Sequence, residues 1–194
     1  MRLFVASVLP SAERARCDAL VKDLAVRSQG RVRAIPRDTA HITHAFLGEV
    51  RDPGPERLAE DIARAVEGQR AIAITLGPPR LLRTGRVPRL VFAPIDDGAE
   101  AITALSRSIV LALRAHAPFA NLPFPKAPHV TLARFRRDAG SADARHVEDV
   151  LAQPDIRITS HAKIDSVQLM SSVLTGPAPV YEVLTLFRLE GLKA

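Results

Sequence analysis

Two short strings in the 194-residue chain carry residues that could move protons: His41-Ile42-Thr43-His44 and, 88 positions later (129 − 41), His129-Val130-Thr131-Leu132. Each offers a histidine, a β-branched residue and a threonine, and each is approached through proline, IPRDTA before the first and FPKAP before the second. An imidazole titrates near neutral pH, so one ring can accept a proton while a second, charged, gives one up. A threonine hydroxyl two positions away can donate to a non-bridging phosphate oxygen as charge builds there. Two such strings facing each other suit phosphodiester cleavage, and the scheme calls for no metal and no other cofactor.

Apolar, β-branched neighbours mark both strings as strands, on which side chains alternate between faces. His41 and Thr43 then share one face and Ile42 and His44 the other; His129 and Thr131 likewise oppose Val130 and Leu132. The apolar set is expected to turn into the packing, leaving two His/Thr pairs on a shared cleft. His41 with His44 resembles an H-x-x-H metal pair, but that spacing converges on a helix and is pulled apart by a strand. His44 is left as a polar side chain on an apolar face, expected to find a hydrogen bond at a lobe's margin.

The same count continued along each strand ranks the candidates for holding substrate. Lys126, in the loop before the second string, can approach the cleft. Phe135 falls on the His129 face, where it could stack a base or pack in the core. Arg134 leaves on the opposite face unless a bulge intervenes, and Phe46 is out of phase with His41. Lys126, Arg134 and Phe135 are therefore the candidate substrate-binding residues. Tyr181 is expected to pack a lobe, and His116, His146 and His161 to lie on the surface or in loops.

Elements able to hold these strings follow from periodicity and punctuation. Strands are expected at 2–9, 32–35, 41–47, 71–76, 90–95, 129–135, 156–169 and 180–189. Helices are expected at 12–28 with Ser11 as N-cap, at 54–67 ended by Gly68, at 98–115 and at 141–152. The stretch through Arg80, Arg83, Arg86 and Arg89 reads as irregular, and 120–128 as a proline-rich loop. Most strands look half buried, which favours an α+β fold with antiparallel sheets over a doubly wound parallel one. No linker or low-complexity tract divides the chain, so residues 1–194 are expected to form one bilobal domain.

Composition bounds the function classes. Hydrophobic residues make up 47% and charged residues 25%, as in ordinary soluble domains rather than disordered chains. The lone cysteine, Cys17, allows neither an internal disulfide framework nor a cysteine metal cluster, and a reducing cytoplasm is the expected setting. The apolar start MRLFVASVLP is too short for a signal core or a bilayer span. A net charge of +6, carried mostly by arginine, permits an anionic partner. Arg80, Arg83, Arg86 and Arg89, with Arg134, Arg136 and Arg137, could line an RNA path or form a solvated face.

The paired His-x-Thr-x strings on a basic chain of this length resemble the two-histidine phosphoesterase superfamily. The resemblance narrows to the bacterial and archaeal RNA 2',3'-cyclic phosphodiesterases, the 2'-5' RNA ligase family, and runs nearly end to end. It is carried by RLFVASVLP, HITHAFLGEV, PRLVFAPI, FPKAPHVTLARF and SSVLTGPAPVYEVLTLFRL, in that order. It implies two pseudo-symmetric lobes of antiparallel sheet with outer helices around a central cleft. It also implies hydrolysis of RNA 2',3'-cyclic phosphate ends to 2'-phosphomonoesters, with His41 as proton donor to the departing 3'-oxygen and His129 as the base that activates water. Thr43 and Thr131 would hold the phosphate, and reversible 2'-5' ligation would use the same acid/base machinery. The expected partners are RNA ends, tRNA fragments among them, or small nucleotides, met by a monomer away from any membrane. Two departures stand out: His44 replaces an apolar residue, and an aromatic common before the first string is missing around Arg33 and Ala34, which bears on base stacking. The alternatives are a phosphodiesterase for a small cyclic or 2'-5'-linked nucleotide, and an RNA-binding module without catalysis.

Overall fold

Each half of the chain repeats one order of elements, strand–helix–strand–helix–strand. In the computed structural model, which describes residues 1–36, 39–158, 160–173 and 180–191, the first half comprises β1 (Arg2–Val8), α1 (Ser11–Arg27), the short β2 (Val32–Ala34), β3 (His41–Glu49), α2 (Pro55–Val66) and β4 (Ile72–Leu76). The second opens with β5 (Arg80–Thr84) and continues β6 (Val87–Pro94), α3 (Ala99–Leu113), β7 (His129–Phe135), α4 (Ser141–Leu151) and β8 (Ser160–Ile164). Strands β9 (Ser166–Val173) and β10 (Val180–Arg188) close the chain. Parts of the approach IPRDTA and of the ending SSVLTGPAPVYEVLTLFRL lie outside the described residues.

The strands pair antiparallel in the order β10-β9-β1-β3-β7-β6-β5, with β2 also on β7, while β4 and β8 form a separate two-stranded sheet. The expected α+β architecture is present, and its two halves join through β3 and β7 in one continuous sheet. Helices α1 and α3 pack against β7 and β3, and α2 lies on α3. Beneath them Ile42, Val130, Leu132, Ile102, Ile109 and Leu113 are all fully buried. Each such side chain contributes roughly 1.5–3 kcal/mol. A one-residue slip of either central strand would exchange these for histidine and threonine, so burial locks the register.

Local chemistry explains the element ends. Pro55 opens α2, where its missing N–H costs nothing, and Leu58, Ile62 and Val66 form its buried stripe. Gly68 follows in the left-handed region at φ 69° and turns the chain into β4. Gly98 caps α3 at φ 79°, and a Cβ there would collide with the Ala73 carbonyl oxygen, so only glycine fits.

Three expectations need correction. Ser11 is the first helical residue of α1 rather than its cap; Pro10 occupies the cap position and makes no side-chain bond. The stretch 80–89 lies in a β5–β6 hairpin that turns at Gly85, φ 60°, with a register shift between Leu82 and Arg83. Its strand character was hidden because exposed arginines occupy the face an amphipathic pattern would leave blank. The strand expected at 156–169 is two, β8 and β9, parted at Asp165 so that each joins a different sheet.

Candidate active site

The two central strands meet where Ile42 pairs with Val130. Their antiparallel direction then sets His41 across from Thr131 and Thr43 across from His129, so each imidazole neighbours the hydroxyl of the other strand. With residues 42, 130 and 132 fully buried, these four side chains face a cleft of about 680 Å³. That volume suits a nucleotide-sized ligand.

Each imidazole is oriented by the backbone two residues before it. His41 Nδ1–H donates to the Thr39 carbonyl at 2.5 Å, and His129 Nδ1–H to the Ala127 carbonyl at 3.1 Å. A carbonyl only accepts, so both rings carry the proton on Nδ1 and leave Nε2 for the cleft. An aromatic ring braces each histidine: Phe4 lies 5.3 Å from His41, and Phe92 5.3 Å from His129. Burial pushes the His41 pKa below its ordinary value; the Thr39 carbonyl opposes this, and the charges of Arg134 and His129 push it down further. His41 is therefore neutral when no anion is bound, and a phosphate beside it would draw the proton back.

Alternation fails just beyond each motif, in the same way. On β1, Val5 pairs with Ala45 and Ala6 with Thr43, leaving His44 unmatched; on β6, Val91 pairs with Ala133 and Phe92 with Thr131, leaving Leu132 unmatched. Each is a β-bulge that turns two successive residues inward, His44-Ala45 and Leu132-Ala133. The next side chain returns to the cleft. Arg134 thus lines it beside Thr131, as a bulge would require, and Phe135 is buried in the core rather than placed on the His129 face. Phe46 likewise lies on the cleft side, 65% exposed, where simple alternation put it out of phase.

His44 does find hydrogen bonds, but deep in the interior rather than at a margin. Its Nε2 lies 2.9 Å from Ser7 Oγ and its Nδ1 2.7 Å from Ser106 Oγ, tying β1 to α3. The two hydroxyls are also within reach of the Ser166 and Ile102 carbonyls, both at 2.7 Å. Burial pushes the His44 pKa down to about 3, so the ring is neutral and one serine donates to it. Alternation turns His44 to the face opposite His41, yet His44 and Ser106 also border the same cavity.

Tyr181 packs against the Phe4, Ala6 and Met170 cluster, as expected, and also lines the cleft: its ring lies 5.7 Å from His41 and 5.0 Å from Phe4. Lys126 lines the cleft, as expected, and so do Arg2 and Arg33, neither of which the sequence marked as a cleft cation. Among the described residues no carboxylate lines the cleft. The arginine-rich hairpin contributes little: Arg83 is bound by Glu148 at 2.6 Å, and Arg80, Arg86 and Arg89 are not cleft residues. Arg136 pairs with Asp138, and Arg137 also lies away from the cleft. His116 bonds Asp61, joining α2 to the end of α3, while His146 and His161 make single contacts with the Arg27 carbonyl and Thr75 Oγ1.

Comparison with known proteins places this arrangement. The profile of the 2'-5' RNA ligase superfamily matches residues 9–175. A protein of Archaeoglobus fulgidus named RNA 2',3'-cyclic phosphodiesterase is 28% identical, over 96% of this chain and 99% of its own. Its namesake from Thermotoga maritima is 24% identical over 98% and 97%. Among solved structures, a Thermus thermophilus protein, TT0787, superposes with a TM-score of 0.79 at 26% identity, covering 98% of this chain and 99% of that one. Escherichia coli LigT complexed with 3'-AMP gives 0.71 at 21% identity, over 97% of each, a likeness of fold.

Proposed function

The chain belongs to the 2'-5' RNA ligase superfamily, and we propose that it hydrolyses RNA 2',3'-cyclic phosphate ends to 2'-phosphomonoesters by two-histidine acid/base catalysis. One observation carries the proposal: two Nδ1-anchored imidazoles present Nε2 to one cleft, each facing the threonine of the other strand. The names of the Archaeoglobus fulgidus and Thermotoga maritima relatives support it.

In this scheme the phosphate sits between the strands, and the Thr43 and Thr131 hydroxyls donate to its non-bridging oxygens. His129 Nε2 takes a proton from water as the oxygen attacks phosphorus. His41, charged once the anion is beside it, delivers its Nε2 proton to the departing 3'-oxygen. The 2'-oxygen keeps the phosphate. With a 5'-hydroxyl end attacking in place of water, the same groups in the same roles join RNA through a 2'-5' linkage. Arg134 and Lys126 neutralise phosphate charge, and the exposed Phe46 offers a face on which a base can stack. The working unit is taken to be a single bilobal domain over residues 1–194, acting as a cytoplasmic monomer; no helix among the described residues is long and apolar enough to cross a membrane.

The test is to incubate the protein with RNA ending in a 2',3'-cyclic phosphate and identify the product isomer. A 2'-phosphate is expected; a 3'-phosphate would reverse the donor and acceptor roles, and no product would remove the proposal. Turnover is expected to persist in excess EDTA, and loss rescued by a divalent ion would show that a metal takes part. The cleft would also admit a small cyclic nucleotide, and a far higher kcat/KM on such a substrate than on RNA would favour that alternative.

A further inference from the structure

Strand β2 adds to the cleft a cation that the acid/base scheme does not use. Its Arg33 lies directly opposite Arg134 of β7 in the antiparallel register, so the two side chains leave the sheet side by side on the same face. Both line the cleft. Like charges set directly across a sheet repel, and elsewhere the chain avoids this by pairing arginines with carboxylates, as in Arg31 with Asp143, Arg83 with Glu148 and Arg188 with Asp165. Among the described residues neither Arg33 nor Arg134 has such a partner, and no carboxylate lines the cleft to supply one.

Position separates Arg33 from the reacting phosphate. Arg134 stands three residues past Thr131, up to ~10 Å along the strand and less across the bulge, and Arg33 is one strand further over. Arg134, whose charge reaches His41, faces the reacting phosphate, which leaves Arg33 for another anion. The planar Arg33 fork suits the oxygens of a phosphate.

We propose that Arg33, beside Arg134, grips a second phosphate of the substrate, the internucleotide phosphate next to the cyclic end, so that the protein selects chain ends over isolated nucleoside cyclic phosphates. This rests on the phosphodiesterase proposal and names the feature by which that site recognises RNA. Arg33 is then a specificity-determining residue and takes no part in proton transfer.

The experiment compares two dinucleotides, each ApA ending in a 2',3'-cyclic phosphate, one with an ordinary phosphodiester linkage and one with a neutral methylphosphonate linkage. The wild type is expected to favour the charged linkage at least tenfold in kcat/KM, the scale of one or two charge-assisted hydrogen bonds. Arg33→Gln, at an exposed strand position, should bring that ratio close to one, and Arg33→Lys should restore part of it. Equal turnover of both dinucleotides by the wild type, or a ratio unchanged in Arg33→Gln, would overturn the role of Arg33 alone. Turnover of neither would overturn the phosphodiesterase proposal and this inference with it.

Discussion

Strands β3 and β7 are the same device built twice and then altered. HITHAFL and HVTLARF match position for position at a spacing of 88, share one alternation of half-buried and buried residues, and bulge at the same step. In both, the imidazole is tethered to the carbonyl two residues back and braced by a phenylalanine at 5.3 Å. From the bulge onward they diverge. Phe46 stands where Arg134 stands in the other copy, and His44 where Leu132 stands. Strand β2 pairs with β7 there, whereas among the described residues no strand takes that edge of β3. In the proposed scheme the shared half holds one phosphate between two proton carriers. The altered half makes that place directional, with an aromatic surface at one end and paired cations at the other.

The strongest way to break the comparison is to remove either proton carrier. His41→Ala and His129→Ala should each lower kcat by about a thousandfold or more, with Tm little changed, because the two act in sequence on one phosphate. Appreciable activity in either would mean the copies are not partners. Erasing the asymmetry should cost less: Arg134→Phe, which copies the first strand's choice, should lower kcat/KM on RNA roughly tenfold and flatten its dependence on salt.

His44→Leu copies the second strand's choice at the buried bulge, and its effect should fall on stability rather than on chemistry. The ring is neutral when folded, with a pKa near 3, and takes up a proton when unfolded, near 6.5. The unfolded state therefore binds more protons below pH 6.5. Stability is fully present above that pH and is lost as pH falls toward 3, by at most ~1.4 kcal/mol per pH unit from this group. Replacing His44 with leucine should leave kcat within a few-fold and shallow that slope, since both serines keep a carbonyl to bond. A hundredfold loss of kcat would show that the buried face communicates with the cleft. The smallest effect is on His41 itself. Followed by NMR, it should titrate below 6.5 in the free protein and shift upward on addition of inorganic phosphate, because the anion offsets the burial and the Arg134 charge that hold it down.

Much of the site was legible without coordinates because strand alternation is a local rule. It placed His41, Thr43, His129 and Thr131 on one face, Ile42, Val130 and Leu132 on the other, and parted His41 from His44. The same rule misplaced Phe46 and Phe135, since a bulge depends on how a strand meets its neighbour, and neither β3 nor β7 announces one. Arg134 could be kept as a candidate only by allowing for that possibility. Arg33 and Tyr181 were passed over as cleft residues for a related reason: β2 and β10 reach the cleft through pairings with β7 and β9 that nothing in their own residues specifies.

By itself the sequence determined the chemistry on offer: two histidines and two threonines in duplicate, an antiparallel α+β frame to carry them, and an excess of arginine. Tertiary structure decided which strand lies against which, and with it which cations and aromatics join the histidines. Side-chain alternation is written in consecutive residues, whereas bulges, edge pairings and the burial that lowers a histidine's pKa arise only when distant strands come together.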